Sequence, residues 1–125
     1  MKNRIPKLVQ RWVGLIPKGN PKQQASLYSR KAVLLATFEP MLVGRKEIYG
    51  YMQEFLDKPN MDCEIVRNVL QIDKDRDTKI ASGIYIFTFD NDKNKKRERV
   101  VARYTFVINK RKIINHHSSV YPEDN

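Results

Sequence analysis

Apolar positions at the start of the chain recur at spacings of three and four. Ile5, Leu8, Val9, Trp12, Leu15 and Ile16 form one stripe, with Arg4, Lys7, Arg11 and Lys18 mostly off it, which predicts an amphipathic helix. Pro17 and Gly19-Asn20-Pro21 end that helix. A short second helix is expected from Pro21 to about Tyr28, with Ala25, Leu27 and Tyr28 turned inward. The apolar run 32–37 reads as a buried strand stopped by Glu39-Pro40. Gly44 then precedes a third helix, in which Ile48, Tyr51, Met52, Phe55 and Leu56 make a stripe and Lys58-Pro59-Asn60 closes the element.

The period changes in the second half. Segments 62–72, 79–89, 99–108 and 112–120 are strand-like and rich in Ile, Val, Tyr, Phe and Thr. Their connections, at 73–77, 90–97 and 109–111, are short and polar, so neighbouring strands should pair as an antiparallel meander. Helices and a short strand followed by four long strands imply an α+β fold, with the helices on one face of the sheet. The length of 125 residues suits a single domain spanning 1–125.

Composition narrows the class. A chain 41% hydrophobic and 30% charged is that of a globular protein, and no apolar run approaches the roughly 20 residues that span a bilayer. No signal peptide is visible after Met1, so a cytoplasmic location is expected. Cys63 is the only cysteine, which excludes an intramolecular disulfide and a Cys-rich metal site. The net charge of +10 is uneven: residues 1–38 hold eight Lys or Arg and no acid, and residues 93–112 hold nine opposed only by Glu98. Such an excess serves solubility or favours anionic partners such as nucleic acid or acidic lipid. The second basic run, at Lys93, Lys95, Lys96 and Arg97, lacks the aromatic residues that stack on bases.

Candidate chemistry is sparse. Asp73, Asp75 and Asp77 mimic the opening of a calcium loop, but Thr78 and Ile84 stand where that loop needs Gly and Glu, so the segment reads as a turn. His116 and His117 are adjacent on a strand and point to opposite faces, so they cannot share one metal ion; no metal site is expected. An imidazole titrating near neutrality suits acid–base work better, and His116 is the candidate. Alternation puts His116 and Ser118 on one face and Asn115, His117 and Ser119 on the other. Arg103 is a charge in the middle of its strand, which calls for a carboxylate such as Glu39 or Glu64, or for an anionic or carbonyl-bearing ligand. No nucleophilic triad, phosphate-binding Gly loop or paired carboxylates appear, and no motif calls for a cofactor.

The order of elements and several strings carry a resemblance. These are Ala32-Val33-Leu34-Leu35 with Glu39-Pro40, Gly44-Arg45-Lys46-Glu47-Ile48, Ser82-Gly83-Ile84-Tyr85, Ala102-Arg103-Tyr104-Thr105-Phe106-Val107 and Asn115-His116-His117-Ser118-Ser119, with Trp12 on the first helix. The chain resembles the nuclear transport factor 2-like superfamily in its SnoaL-like branch. It is similar there to SgcJ/EcaC-type proteins and to the association (hub) domain of calcium/calmodulin-dependent protein kinase II. The resemblance implies a cone: three N-terminal helices closing a curved, mainly antiparallel sheet around a pocket. It also implies a homodimer or larger homo-oligomer built on the outer sheet face. By that analogy Arg103 points into the pocket beside His116 and Ser118, with Tyr85, Tyr28, Trp12 and Tyr51 as lining, while Tyr104, Phe106 and His117 face a partner subunit. Relatives carry Trp in the last hairpin, where this chain has Arg111 or Lys112, and the second pocket arginine of the kinase hubs is replaced by Ser118. Two functions follow as expectations. One is a pocket for a small polar or anionic organic ligand, with isomerase, cyclase or dehydratase chemistry in relatives. The other is a non-catalytic domain for self-assembly or adaptor binding.

Overall fold

The computed structural model describes residues 4–123. Helix α1 (Lys7–Leu15) buries Val9 and Trp12 and runs into a 3-10 turn, Ile16–Lys18, closed by Gly19 at φ 64°. Helix α2 (Pro21–Ser26) starts with Pro21 in its first turn, and the Asn20 side chain accepts from the Gln23 amide at 3.0 Å. Helix α3 (Arg45–Phe55) follows Gly44, whose φ of 90° few other residues adopt, and buries Ile48 and Met52.

Six strands make one open, curved sheet in the order β2-β1-β6-β5-β4-β3, so the fold is α+β as expected. They are β1 (Tyr28–Leu35), β2 (Leu42–Val43), β3 (Asp62–Asp73), β4 (Thr78–Asp90), β5 (Arg97–Asn109) and β6 (Lys112–Val120). Strands β3 to β6 form the antiparallel meander, and β1 joins it parallel to β6. Two details differ from the periodicity. The second helix stops at Ser26 and β1 begins at Tyr28, because Tyr28 pairs with Ile113 and is completely buried. Burial there outweighs local helix preference. The short β2 pairs with Val33 and Leu34 and left no periodic signal.

Register decides which face each side chain takes, since residues directly opposite in an antiparallel pair share a face. Ala81, Tyr85, Phe87, Ala102, Tyr104, Phe106 and Ile108 point to the helices and join Trp12, Ile48 and Met52 in one core. Ile80, Ile84, Ile86, Val101, Arg103, Thr105 and Val107 point the other way. One extra residue, Ile114, bulges out of β6, so Ile108 opposes Ile113 while Val107 opposes Asn115. The bulge puts Ile113, His116 and Ser118 on the inner face and leaves Ile114 exposed.

Candidate functional site

A cavity of about 230 Å³ opens on the inner face, at the end of the sheet where β4 passes Phe89 and β5 passes Val100. Trp12, Tyr51, Phe55, Tyr85, Phe87 and Phe89 make an aromatic wall. Its polar groups are Thr37, His116, Ser118 and the hydroxyls of Tyr51 and Tyr85, while Glu39, Glu54 and Lys58 stand exposed around it. The Lys58 ammonium lies 5.4 Å from the centre of the Phe55 ring and 5.7 Å from that of Phe89.

A hydrogen-bonded chain runs from the helices through the core to this cavity. The Trp12 indole N–H donates to Tyr28 Oη at 3.0 Å, and Tyr28 Oη lies 2.8 Å from His116 Nδ1. His116 Nε2 lies 3.2 Å from Tyr85 Oη, which donates to Ser118 Oγ at 2.7 Å. Ser118 Oγ lies 2.9 Å from Thr37 Oγ1. Counting hydrogens fixes the direction. Indole only donates, so Tyr28 accepts from Trp12, and the Tyr28 hydrogen goes to His116 Nδ1. The neutral ring then carries its hydrogen on Nε2 and donates it to Tyr85, whose own hydrogen passes to Ser118.

Electrostatics agree with that neutral ring. His116 is 2% exposed, stacked on Phe106 with ring centres 3.9 Å apart and edge-on to Trp12. Burial, with the neighbouring His117 adding, pushes its pKa down to about 3. Burial likewise raises the Tyr28 and Tyr85 hydroxyls well above the usual phenol range, so both stay protonated. The expectation that His116 titrates near neutrality is therefore corrected: the imidazole is a neutral core group with both nitrogens engaged.

Of the residues singled out from sequence, His116, Ser118, Tyr85, Trp12 and Tyr51 line the cavity. Tyr28 lies behind it and reaches it through His116. Arg103 does not enter. It opposes Ser119 and Ile84 on the outer face, is exposed, and donates from Nη2 to Ser119 Oγ at 3.2 Å. Among the described residues it forms no ion pair with Glu39 or Glu64. Tyr104 and Phe106, expected at a partner surface, are 3% and 0% exposed and belong to the core; the same register that turns Arg103 out turns them in. Tyr104 Oη donates to Asn68 Oδ1 at 2.6 Å. His117 lies exposed on the outer face opposite Thr105. Cys63 is half-buried in β3, and burial, with Asp62 and Glu64 adding, pushes its thiol up. Among the described residues no three His, Cys, Asp or Glu side chains gather as a metal site, and no helix is long and apolar enough to cross a membrane.

Residues 1–122 match the family model of the calcium/calmodulin-dependent protein kinase II association domain. The chain belongs to this family. A crystal structure from Xanthomonas campestris, provisionally described as such an association domain, is similar at 34% identity and a TM-score of 0.85, over 99% of this chain and 97% of that one. A nuclear transport factor 2-like protein from Salmonella enterica gives a TM-score of 0.82 at 15% identity, over 95% and 89% of the two chains. A protein from Streptomyces avermitilis, provisionally described as a dehydratase of the nuclear transport factor 2-like family, gives 0.82 at 12% identity, over 93% of each chain. At such identities these last two speak for the fold alone. No curated protein matches the chain.

In this association domain sequence reasoning missed Thr37. It follows an apolar strand in the turn before Glu39-Pro40, where neither period nor charge marks it, and only the fold brings it to Ser118.

Proposed function

We propose that residues 1–125 act as one association domain that pairs with a second copy through the outer face of its sheet. The observation that carries this reading is the set of aliphatic side chains Ile84, Ile86 and Val101, with Ile80 and Val107 beyond the Ser82–Thr105 pair, which the β4–β5 register puts on the face turned from the helices. Half-exposed β-branched side chains across adjacent strands gain from being covered, and a two-fold pair buries the same patch twice. Arg103 and Thr105, between Val101 and Val107 and beside Ser119 and His117, supply polar contacts within it. Sedimentation across a micromolar concentration series tests it. The unaltered chain should associate, and Ile84→Glu, which places a carboxylate in the patch of both copies, should weaken pairing on the order of a thousandfold. A monomer throughout the series for the unaltered chain refutes the reading.

The cavity favours a second role: holding a small, uncharged, largely apolar molecule with one oxygen head. Thr37 and Ser118 carry two hydroxyl hydrogens, and Ser118 already accepts from Tyr85. Whichever way their shared bond runs, one hydrogen is consumed and one is left to donate. That hydrogen and the Tyr51 hydroxyl, set in an aromatic wall, suit a ketone or alcohol, whereas the lone Lys58 ammonium of the lining stands exposed at the rim, where solvent weakens its hold on a carboxylate. With Arg103 on the outer face, the anionic ligand first expected loses that anchor, and exposed Lys58 is the cation left in the lining. The neutral His116 favours binding over acid–base catalysis near neutrality. Cyclohexanone and cyclohexanol should raise the melting temperature of the unaltered chain more than that of Ser118→Ala. Cyclohexanecarboxylate stabilising both proteins equally well would remove the argument.

A further inference from the structure

At the opposite end of the sheet from the cavity lies an open groove of about 920 Å³, between α1 and the β3–β4 and β5–β6 turns. Arg4, Lys7, Arg11, Lys79, Lys110 and Arg111 surround it, opposed among the described residues only by Asp77, which leaves +5 of the chain's net +10 in one place. All six are exposed, and among the described residues none forms an ion pair. The floor is aliphatic: Ile5, Leu8, Leu70, Ile72 and Ile108.

We propose that this groove binds an acidic polypeptide segment bearing aliphatic anchors. Two features show that the charge works against the fold that carries it. Lys7 and Arg11 lie four apart at the N-terminal end of α1, whose first turn holds no acid, and Arg4 precedes them just outside the helix. Like charges at that spacing repel, and the positive end of the helix dipole disfavours them further. Lys110 and Arg111 occupy a two-residue hairpin turn with φ of 50° and 67°, conformations that Asn and Gly adopt with less strain. An anionic partner relieves the repulsion along α1 and gives the cations held at the strained turn a counter-charge.

The shape of the groove selects the partner. Six exposed cations spread over a space about four times the cavity volume suit several carboxylates along a chain, and none is buried to hold one small anion. No aromatic ring lines the groove to stack on bases, which disfavours nucleic acid. A concave aliphatic floor suits side chains inserted from a segment better than a flat lipid surface.

Fluorescence anisotropy with the full chain and a short labelled peptide of alternating Glu and Leu tests the proposal. Binding should saturate, weaken at least about tenfold when Gln replaces Glu or Ser replaces Leu, and weaken by a similar factor in Lys7→Glu/Arg11→Glu. The double variant Lys110→Asn/Arg111→Gly should bind more weakly yet melt at a higher temperature, which separates lost binding from lost folding. Equal binding of the Gln peptide, or unchanged binding by both double variants, overturns the proposal. So does tighter binding of single-stranded oligothymidine, which would assign the groove to nucleic acid, or of phosphatidylserine vesicles, which would assign it to membranes.

Discussion

The neutral state of His116 predicts how stability depends on pH. An imidazole in the unfolded chain titrates near 6.5, whereas burial holds the native His116 down to about 3. Between those values the unfolded chain binds a proton that the native chain refuses, so native stability rises with pH. The contribution is fully present above about pH 6.5 and is lost as pH falls through the interval to about 3. One pH unit corresponds to about 1.4 kcal/mol, so the loss is about 2 kcal/mol by pH 5 and on the order of 5 kcal/mol over the whole interval. The total is comparable with the net stability of a small domain, roughly 5–15 kcal/mol. Carboxylates protonate below pH 5, so the useful window runs from pH 7.5 to 5. Urea unfolding at fixed protein concentration, in a His117→Gln background where His116 is the only imidazole, should show stability falling by about 1.4 kcal/mol per unit below pH 6. Adding His116→Gln should flatten that slope while lowering stability at pH 7.5. Parallel slopes in the two proteins refute the reasoning, as does a His116 ring proton that titrates above pH 5 by nuclear magnetic resonance.

Three further outcomes follow from the same geometry. Tyr28→Phe keeps the ring but strands the Trp12 N–H and His116 Nδ1 in the core, which should cost about 2–5 kcal/mol and lower the calorimetric melting temperature by roughly 10 °C; an unchanged melting temperature would show that the hydroxyl carries no buried bond. Gly83→Ala should destabilise by about 3 kcal/mol or more, because a Cβ there overlaps the Arg67 carbonyl and crowds the Tyr104 hydroxyl; hydrogen exchange should accelerate along β3 and β4, and retained protection would contradict the packing. Arg103→Ala should alter self-association and leave cyclohexanone binding unchanged, whereas Ser118→Ala should do the reverse; titration and sedimentation of both variants check the separation.

Much of this fold is legible in the sequence because the long strands end at polar turns. Segment 112–120 coincides with β6, and the other three strands differ by at most two residues at either end from the expected ones. Alternation within β5 also sorts its residues into two faces. What alternation within one strand cannot supply is parity between strands: Arg103 opposes Ser119, whereas Ser118 opposes Tyr104. The physical clue was present. Ala102, Tyr104, Phe106 and Ile108 are the more apolar set and belong inside, and the resemblance-based placement of Arg103 set that clue aside. The Ile114 bulge has no sequence signature, and neither has Thr37, since both depend on contacts far along the chain.

The buried network also bears on the proposed binding role of the cavity. Each His116 nitrogen holds one hydrogen bond, Nδ1 with Tyr28 and Nε2 with Tyr85. To act on a ligand the ring must release one of them, leaving a buried hydroxyl or ring nitrogen unpaired at about 1–3 kcal/mol. It must also accept a proton that burial already resists, which adds on the order of 5 kcal/mol relative to an ordinary imidazole. No carboxylate in contact with the ring repays that cost, since both of its hydrogen-bond partners are tyrosine hydroxyls with raised pKa values. Ser118 and Thr37 pay neither penalty: their free hydrogen lies at the cavity end of the chain and needs no proton transfer to engage a ligand. On the binding role proposed above, a molecule entering the cavity would be held by hydroxyls that His116 orients through Tyr85, and its arrival should be read in stability rather than in a pH–rate profile.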